Sequence, residues 1–270
     1  MTGTLRIVGT AHVSAKSVEE VRSAIEEFSP EIVAIELDPA RYAALKKQAR
    51  DPSVKDVLEA KNFTQLLVQW ILAYLQRRIG LDMGVEPGAE MKAAIEEAEK
   101  RNIPVALIDR DIGITLRRFW NSLSFFEKLK LLYALVLSLA TVDSEEIDVE
   151  ELKKEDVVSM AMKEFRKFSP NGARALIDER DSYLAHNLAI LKERHTRILA
   201  VLGAGHVAGV EKLLASPGEI LSKQELDADI RSRPWGKIFG AGVTALFILL
   251  LLAIAFSGVG MEVLFSALVY

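Results

Sequence analysis

Cysteine is absent from the 270-residue chain. That excludes disulfides, thiolate nucleophiles and sulfur-ligated zinc, so any bound metal must be held by His, Asp and Glu. The absence fits a reducing compartment. Histidine is scarce as well: of only four, two stand in matching contexts, "GTAH" ending at His12 and "GAGH" ending at His206. A basic stripe is also missing, because Lys and Arg are interleaved with Asp and Glu at a net charge of -4, which argues against a nucleic-acid partner. The start "MTGTLRIVG" has no long apolar core behind a basic flank, so no signal peptide is expected and the N-terminal part is predicted to stay in the cytoplasm.

Long uncharged apolar runs are confined to one end. "GAGVTALFILLLLAIAFSGVG", residues 240–260, carries no charge and is long enough to span a bilayer as a helix. Arg231, Arg233, Trp235 and Lys237 precede it as a basic juxtamembrane linker, residues 231–239, and place the preceding domain on the cytoplasmic side. Glu262 interrupts a further apolar run, within which the chain stops at Tyr270, as a piece cut inside a membrane region would. The expected organisation is therefore a domain over 1–230, the linker, and a transmembrane region over 240–270.

What remains, 1–230, alternates strand-like and helix-like segments. "LRIVGT", "EIVAIEL", "PVALID" and "RILAVLG" are short buried runs rich in β-branched residues; helices are expected from a capping box at Ser17 and Glu20 to about Phe28, near 63–79 and near 88–101. The alternation predicts an α/β fold with a small, largely parallel or mixed sheet flanked by helices, and a long helical insertion at about 114–196. Two apolar stretches, 63–80 and 125–142, suit core packing, a homodimer interface or a membrane-surface helix.

Polar residues collect where these strands end: His12 after the first, Glu36 and Asp38 after the second, Asp109 and Arg110 after the third, His206 after the fourth. In an open α/β sheet that edge is where ligands bind. A carboxylate buried at the end of "IVAIE" must be paired or bind a cation, so Glu36 needs His, Arg or a metal beside it. Gly9 and Gly203 allow a sharp turn or close packing as each strand ends. "GAGHVAG" also has the form of a phosphate-cradling loop, but the further strand ending in a ribose-binding acid is missing. His186 and His195 read as structural or solvent-facing, and Ser14 as a helix-entry residue.

"GTAHVSAKSVEEV", "IVAIELD", "PGAEM", "IDRDIGITLRR", "ERD" and "LGAGHVAGVEK", in this order over about residues 5–215, resemble the TraB/PrgY family, related to the Tiki Wnt proteases and GumN-type proteins. The resemblance implies an erythromycin-esterase/ChaN-like α/β fold, C-terminal membrane segments and, by analogy with Tiki proteins, metal-dependent peptide hydrolysis; PrgY-type members are associated with limiting a peptide pheromone. On that basis His12, Glu36 and His206 are the expected ligands of a divalent ion such as Mn, Co or Zn. Glu90 is the expected general base, with Glu86 nearby as the alternative. Arg110 suits an oxyanion or a substrate carboxylate, or else merely neutralises Glu36 or Asp111. Arg180 and Asp181 suit a supporting ion pair, with Asp181 also available as a ligand. Two functions are expected to compete: a membrane-anchored metal-dependent peptidase acting on peptides or signalling polypeptides, and a non-catalytic membrane regulator binding a peptide or partner in the same pocket.

Overall fold

The computed structural model describes residues 3–10, 15–47, 88–131 and 155–228, together with residue 242. By its internal contacts the chain divides into two compact units, Met1–Asp229 and Ile230–Tyr270. His12, Glu86 and the segment 63–80 lie outside the described residues, as does the membrane span expected at 240–260 apart from residue 242. Among the described residues no helix is long and apolar enough to cross a membrane.

Four strands, β1 (Thr4–Thr10), β2 (Ile32–Ile35), β3 (Val105–Leu107) and β4 (Arg197–Gly203), form one sheet ordered β1-β4-β2-β3 with every pairing parallel. These are the four apolar runs of the sequence. They are continuously apolar because parallel strands are covered on both faces. In β4, Leu199 and Val201 face one core with Val33 and Ile35 of β2, while Ile198, Ala200 and Leu202 face the other with Ile32 and Ala34.

The two cores belong to different helices. Helix α1 (Ala15–Phe28) contributes Val21, Ala24 and Ile25 to the first core; α2 (Pro39–Lys47) packs Tyr42 and Leu45 against it; and α3 (Ala89–Lys100) adds Met91, Ala94 and Ile95. After β3 the backbone is helical in α4 (Ile112–Ser122), at 125–131 and in α5 (Glu155–Phe168). From Pro170 it continues through a π-helical turn, Arg174–Asp178, into α6 (Glu179–Arg194). Within the stretch expected as a helical insertion, 114–196, the described residues hold no strand. Leu184, Ala185 and Leu188 of α6, with Val210 of α7 (Ala204–Ala215), build the second core. The chain moves outward from β1 to β2 to β3 and then returns to insert β4 beside β1. Right-handed crossovers put the return helix on the opposite face from α1 and α3. In open α/β sheets such a reversal marks the edge where ligands bind, here the carboxyl ends of β2 and β4.

One boundary differs from the reading of the sequence. Helix α1 begins at Ala15, so Ser17, expected as its cap, is buried inside the first turn. Ala15 and Lys16 are good helix formers, and the helix extends back through them before the Ser17–Glu20 pattern. Gly9 proves to be a close-packing position: a Cβ there would lie 2.9 Å from Val207 Cγ2 on α7. Gly203 has φ -59°, which any residue adopts.

Candidate functional site at the carboxyl edge of the sheet

Strand β2 ends at Ile35, and the next residue turns its carboxylate inward. Glu36 Oε2 accepts from the Gly203 backbone N–H at 2.7 Å, tying the end of β2 to the residue that caps α7. A carboxylate there also satisfies one of the N–H groups that a helix leaves unpaired at its N-terminus. His206 lies in the first turn of α7, and its Nε2 is 3.6 Å from Glu36 Oε1. From the second core, the first turn of α6 delivers two neighbours. Asp181 Oδ1 is 2.6 Å from His206 Nδ1, and Arg180 Nη1 is 3.1 Å from His206 Nε2.

These contacts fix the imidazole. A guanidinium N–H can only donate, so Nε2 accepts and the ring proton sits on Nδ1, donated to Asp181. Asp181 is buried by a close helix contact: a Cβ on Gly209 of α7 would fall 2.0 Å from its Oδ2. Burial pushes the Asp181 carboxyl above its ordinary value, and the hydrogen bond from His206 moderates the rise.

Arg180 joins three groups. Its Nη2 donates to Glu36 Oε1 at 2.5 Å and to Asp109 Oδ2 at 2.6 Å, while Nε reaches Asp109 Oδ1 at 3.3 Å. Asp109, at the end of β3, also accepts from Arg41, which in turn donates through Nε to Asp38 at 2.6 Å. Asp38 accepts from the backbone N–H groups of Ala40 and Arg41 and so caps α2. Burial would raise the Asp109 carboxyl, but Arg180 and Arg41 outweigh it and bring it down to about 2. For Arg180, burial acts against the charged form, yet Asp109 and Glu36 hold the guanidinium more firmly protonated than usual. The side chains of Glu36, Asp38 and Asp109 are at most 3% exposed, against 17% for Arg180 and 35% for Arg41. The two arginines are the members of the cluster nearest solvent.

A pH dependence follows. Folded Asp109 titrates at about 2, below its ordinary 3.8. Its contribution is complete above that ordinary value and drains away as the pH falls toward 2, a loss of about 2 kcal/mol. Urea midpoints of wild type and Asp109→Asn should therefore converge between pH 4 and 2. A constant gap across that window would contradict the linkage.

Of the residues singled out in the sequence, Glu36, His206, Arg180 and Asp181 are brought together. His12 lies outside the described residues. Glu90 is buried in the first turn of α3, behind Gly88, whose φ of 81° places that glycine in the left-handed region. Arg110 points away from this cluster: its buried guanidinium donates to Thr115 Oγ1, Glu179 Oε2 and the carbonyls of Leu226 and Ala175. Arg41 was not singled out, although Asp38 and Arg41 stand at helical i,i+3 spacing. Among the described residues no three His, Asp or Glu side chains are arranged to enclose a metal ion. The donor chemistry nevertheless suits a cation. Glu36, Asp38, Asp109 and Asp181 supply four carboxylates against the guanidiniums of Arg41 and Arg180, beside His206, whose Nδ1 is held by Asp181.

A four-stranded parallel sheet flanked by helices, with a buried polar cluster at its carboxyl edge, places the chain among the open-sheet α/β proteins. Comparison with known proteins narrows the class. Residues 2–219 match the model of the TraB/PrgY/gumN family, and the chain belongs to that family. It is 39% identical over 212 residues to the uncharacterized protein MJ1365 of Methanocaldococcus jannaschii, covering 77% of this chain and 52% of that protein. It is 30% identical over 234 residues to the TraB domain-containing proteins of Mus musculus and Homo sapiens, covering 76% of this chain and 61% of each. The chain thus spans about half to three fifths of the length of these curated relatives.

Proposed function

We propose that this chain is a divalent-metal-dependent hydrolase of peptides, anchored by residues 240–260 with the preceding domain in the cytoplasm. The observation that carries the reading is the Asp181–His206–Glu36 arrangement. An imidazole whose Nδ1–H is held at 2.6 Å by a buried carboxylate presents Nε2 beside Glu36 Oε1, 3.6 Å away. A carboxylate behind the imidazole is the usual support of a metal-ligating histidine, because it fixes the tautomer and raises the basicity of the free nitrogen. Glu36 and His206 would hold the ion, with His12, which follows β1 in the sequence and lies outside the described residues, as the third proposed ligand. When bound, the ion supplies Lewis acidity toward an amide carbonyl and lowers the pKa of water. Asp181 keeps His206 in the ligating tautomer. Glu36 divides its two oxygens between the site and the Gly203 N–H. Glu90 is the proposed general base, and exposed Phe125, Phe126 and Leu129 are consistent with a homodimer contact.

The test uses the full chain purified without chelator. His206→Ala and Glu36→Gln should each lower metal affinity by more than the roughly 10–100-fold typical of losing a group that only orients a ligand, and should abolish peptide cleavage. Wild-type metal content and cleavage in both variants would refute the ligand assignment. A second reading, a non-catalytic peptide-binding regulator, draws support from the guanidinium of Arg180 already lying on Glu36 and His206. Metal loss in the variants, with no cleavage by the parent, would favour it.

A further inference from the structure

The lone pairs that the proposed ligands would offer are already engaged. Arg180 Nη2 is 2.5 Å from Glu36 Oε1 and Nη1 is 3.1 Å from His206 Nε2, so one guanidinium spans the two atoms that converge at the carboxyl edge. The same side chain holds a second carboxylate on its other flank, through Nε to Asp109 Oδ1 at 3.3 Å and Nη2 to Asp109 Oδ2 at 2.6 Å. Letting go of Glu36 and His206 would therefore not strand a buried charge, since Asp109 would still pair it. Arg180 also has room on the solvent side, being 17% exposed where Glu36 is 3% and Asp109 is 0%. Only Glu179 separates it from the π-helical turn Arg174–Asp178, a break in helical register frequent at functional sites.

We propose that Arg180 is an internal cation that closes the site, and that a divalent ion binds by displacing it from Glu36 and His206 while Asp109 retains the guanidinium. The inference rests on the metal-binding reading above. The charge count favours the exchange. Among the described residues Arg180 and Arg41 face the four carboxylates Glu36, Asp38, Asp109 and Asp181, so a dication can enter the cluster without either arginine being expelled. The closed and open states are mutually exclusive at Glu36 Oε1 and His206 Nε2. The apparent metal affinity is therefore the intrinsic one reduced by the fraction of molecules in which Arg180 has moved aside.

The experiment titrates Mn2+ alone into the metal-free full chain, in wild type, Arg180→Met, Arg180→Lys and His206→Ala, with binding read by calorimetry or by the loss of the free Mn2+ resonance. Arg180→Met keeps the apolar stem without the charge, and Mn2+ should bind it at least about tenfold more tightly than wild type, as expected if the closed state predominates by that ratio. Arg180→Lys, whose shorter ammonium cannot bridge Glu36, Asp109 and His206 together, should fall between the two and covers the case in which Arg180→Met does not fold. Binding detectable in Arg180→Met and not in wild type would support the proposal outright. Equal or weaker binding in both Arg180 variants, with binding lost in His206→Ala, would overturn the closure and leave the ligand assignment standing. Absence of Mn2+ binding in every variant, Arg180→Met included, would overturn both.

Discussion

Glu179→Ala is expected to lower folding stability by about 3–5 kcal/mol, the cost of removing one partner from a buried ion network. Glu179 Oε2 accepts from Arg110 Nη1 at 3.0 Å and from Arg118 Nε at 2.6 Å, and Oε1 accepts from Arg118 Nη2 at 3.1 Å. The three side chains are 0%, 9% and 5% exposed for Arg110, Arg118 and Glu179, so without the carboxylate two guanidiniums would face each other out of water. The same arginines donate to the carbonyls of Leu226 and Ala228, at and just beyond helix α8 (Lys223–Asp227), so the loss should also loosen that segment. Replacing all three residues by apolar ones, as Arg110→Met, Arg118→Leu and Glu179→Met together, should recover much of the loss, since no unpaired charge is left behind. Urea unfolding of the single and triple variants decides the matter. A single-variant loss under about 1 kcal/mol would mean that water or a neighbour replaces the carboxylate. Burial alone would raise the Glu179 carboxyl, but Arg118 and Arg110 outweigh it and hold it below its ordinary value. Its contribution is therefore present above that ordinary value and shrinks on acidification.

Arg110 also shows where the sequence stops being legible. "IDRD" places Asp109 and Arg110 side by side at the end of β3, and adjacency suggests one site. Beyond β3 the chain bends at Asp109, and the two neighbours part: Asp109 turns toward Arg180 and Arg41 while Arg110 turns toward Thr115, Ala175, Glu179 and Leu226. The strands themselves were readable because burial on both faces demands uninterrupted apolar runs. Glu36 was readable because an acid ending such a run must be buried and therefore paired. Arg180 and Asp181 were not readable from pattern. They lie in a strand-free stretch, and only the crossover that returns α6 to the sheet brings its first turn against α7. They entered through the family resemblance of "ERD". Arg41 had a local signal, the i,i+3 spacing from Asp38, but such pairs are common on solvated helices. Nothing in the sequence states that this one reaches across to Asp109.

Gly209→Ala tests the second-largest effect and sets two principles against each other. In a helix interior, alanine is favoured over glycine by roughly 1 kcal/mol, so by propensity alone the substitution in α7 should stabilise. The contact across to α6 points the other way: the new Cβ would lie 2.0 Å from Asp181 Oδ2, 2.6 Å from its Cγ and 3.3 Å from its Cβ. The helices are held from outside this contact, α7 by Glu36 on the Gly203 N–H and α6 by Glu179 on Arg110 and Arg118. The Asp181 side chain is then the part that yields, and it can yield only by leaving His206 Nδ1. The expected result is a net loss of about 1–3 kcal/mol in stability despite the propensity gain. The downfield Nδ1 proton resonance of His206 should disappear, and metal affinity should fall by about 10–100-fold, as Asp181→Asn should also produce. A double-mutant cycle isolates the cause. On an Asp181→Ala background the obstacle is gone, and Gly209→Ala should there be neutral or stabilising by up to about 1 kcal/mol. If Gly209→Ala stabilises the wild-type background and leaves the His206 proton in place, α6 and α7 separate at little cost, and the close approach at Gly209 does not set the imidazole's orientation.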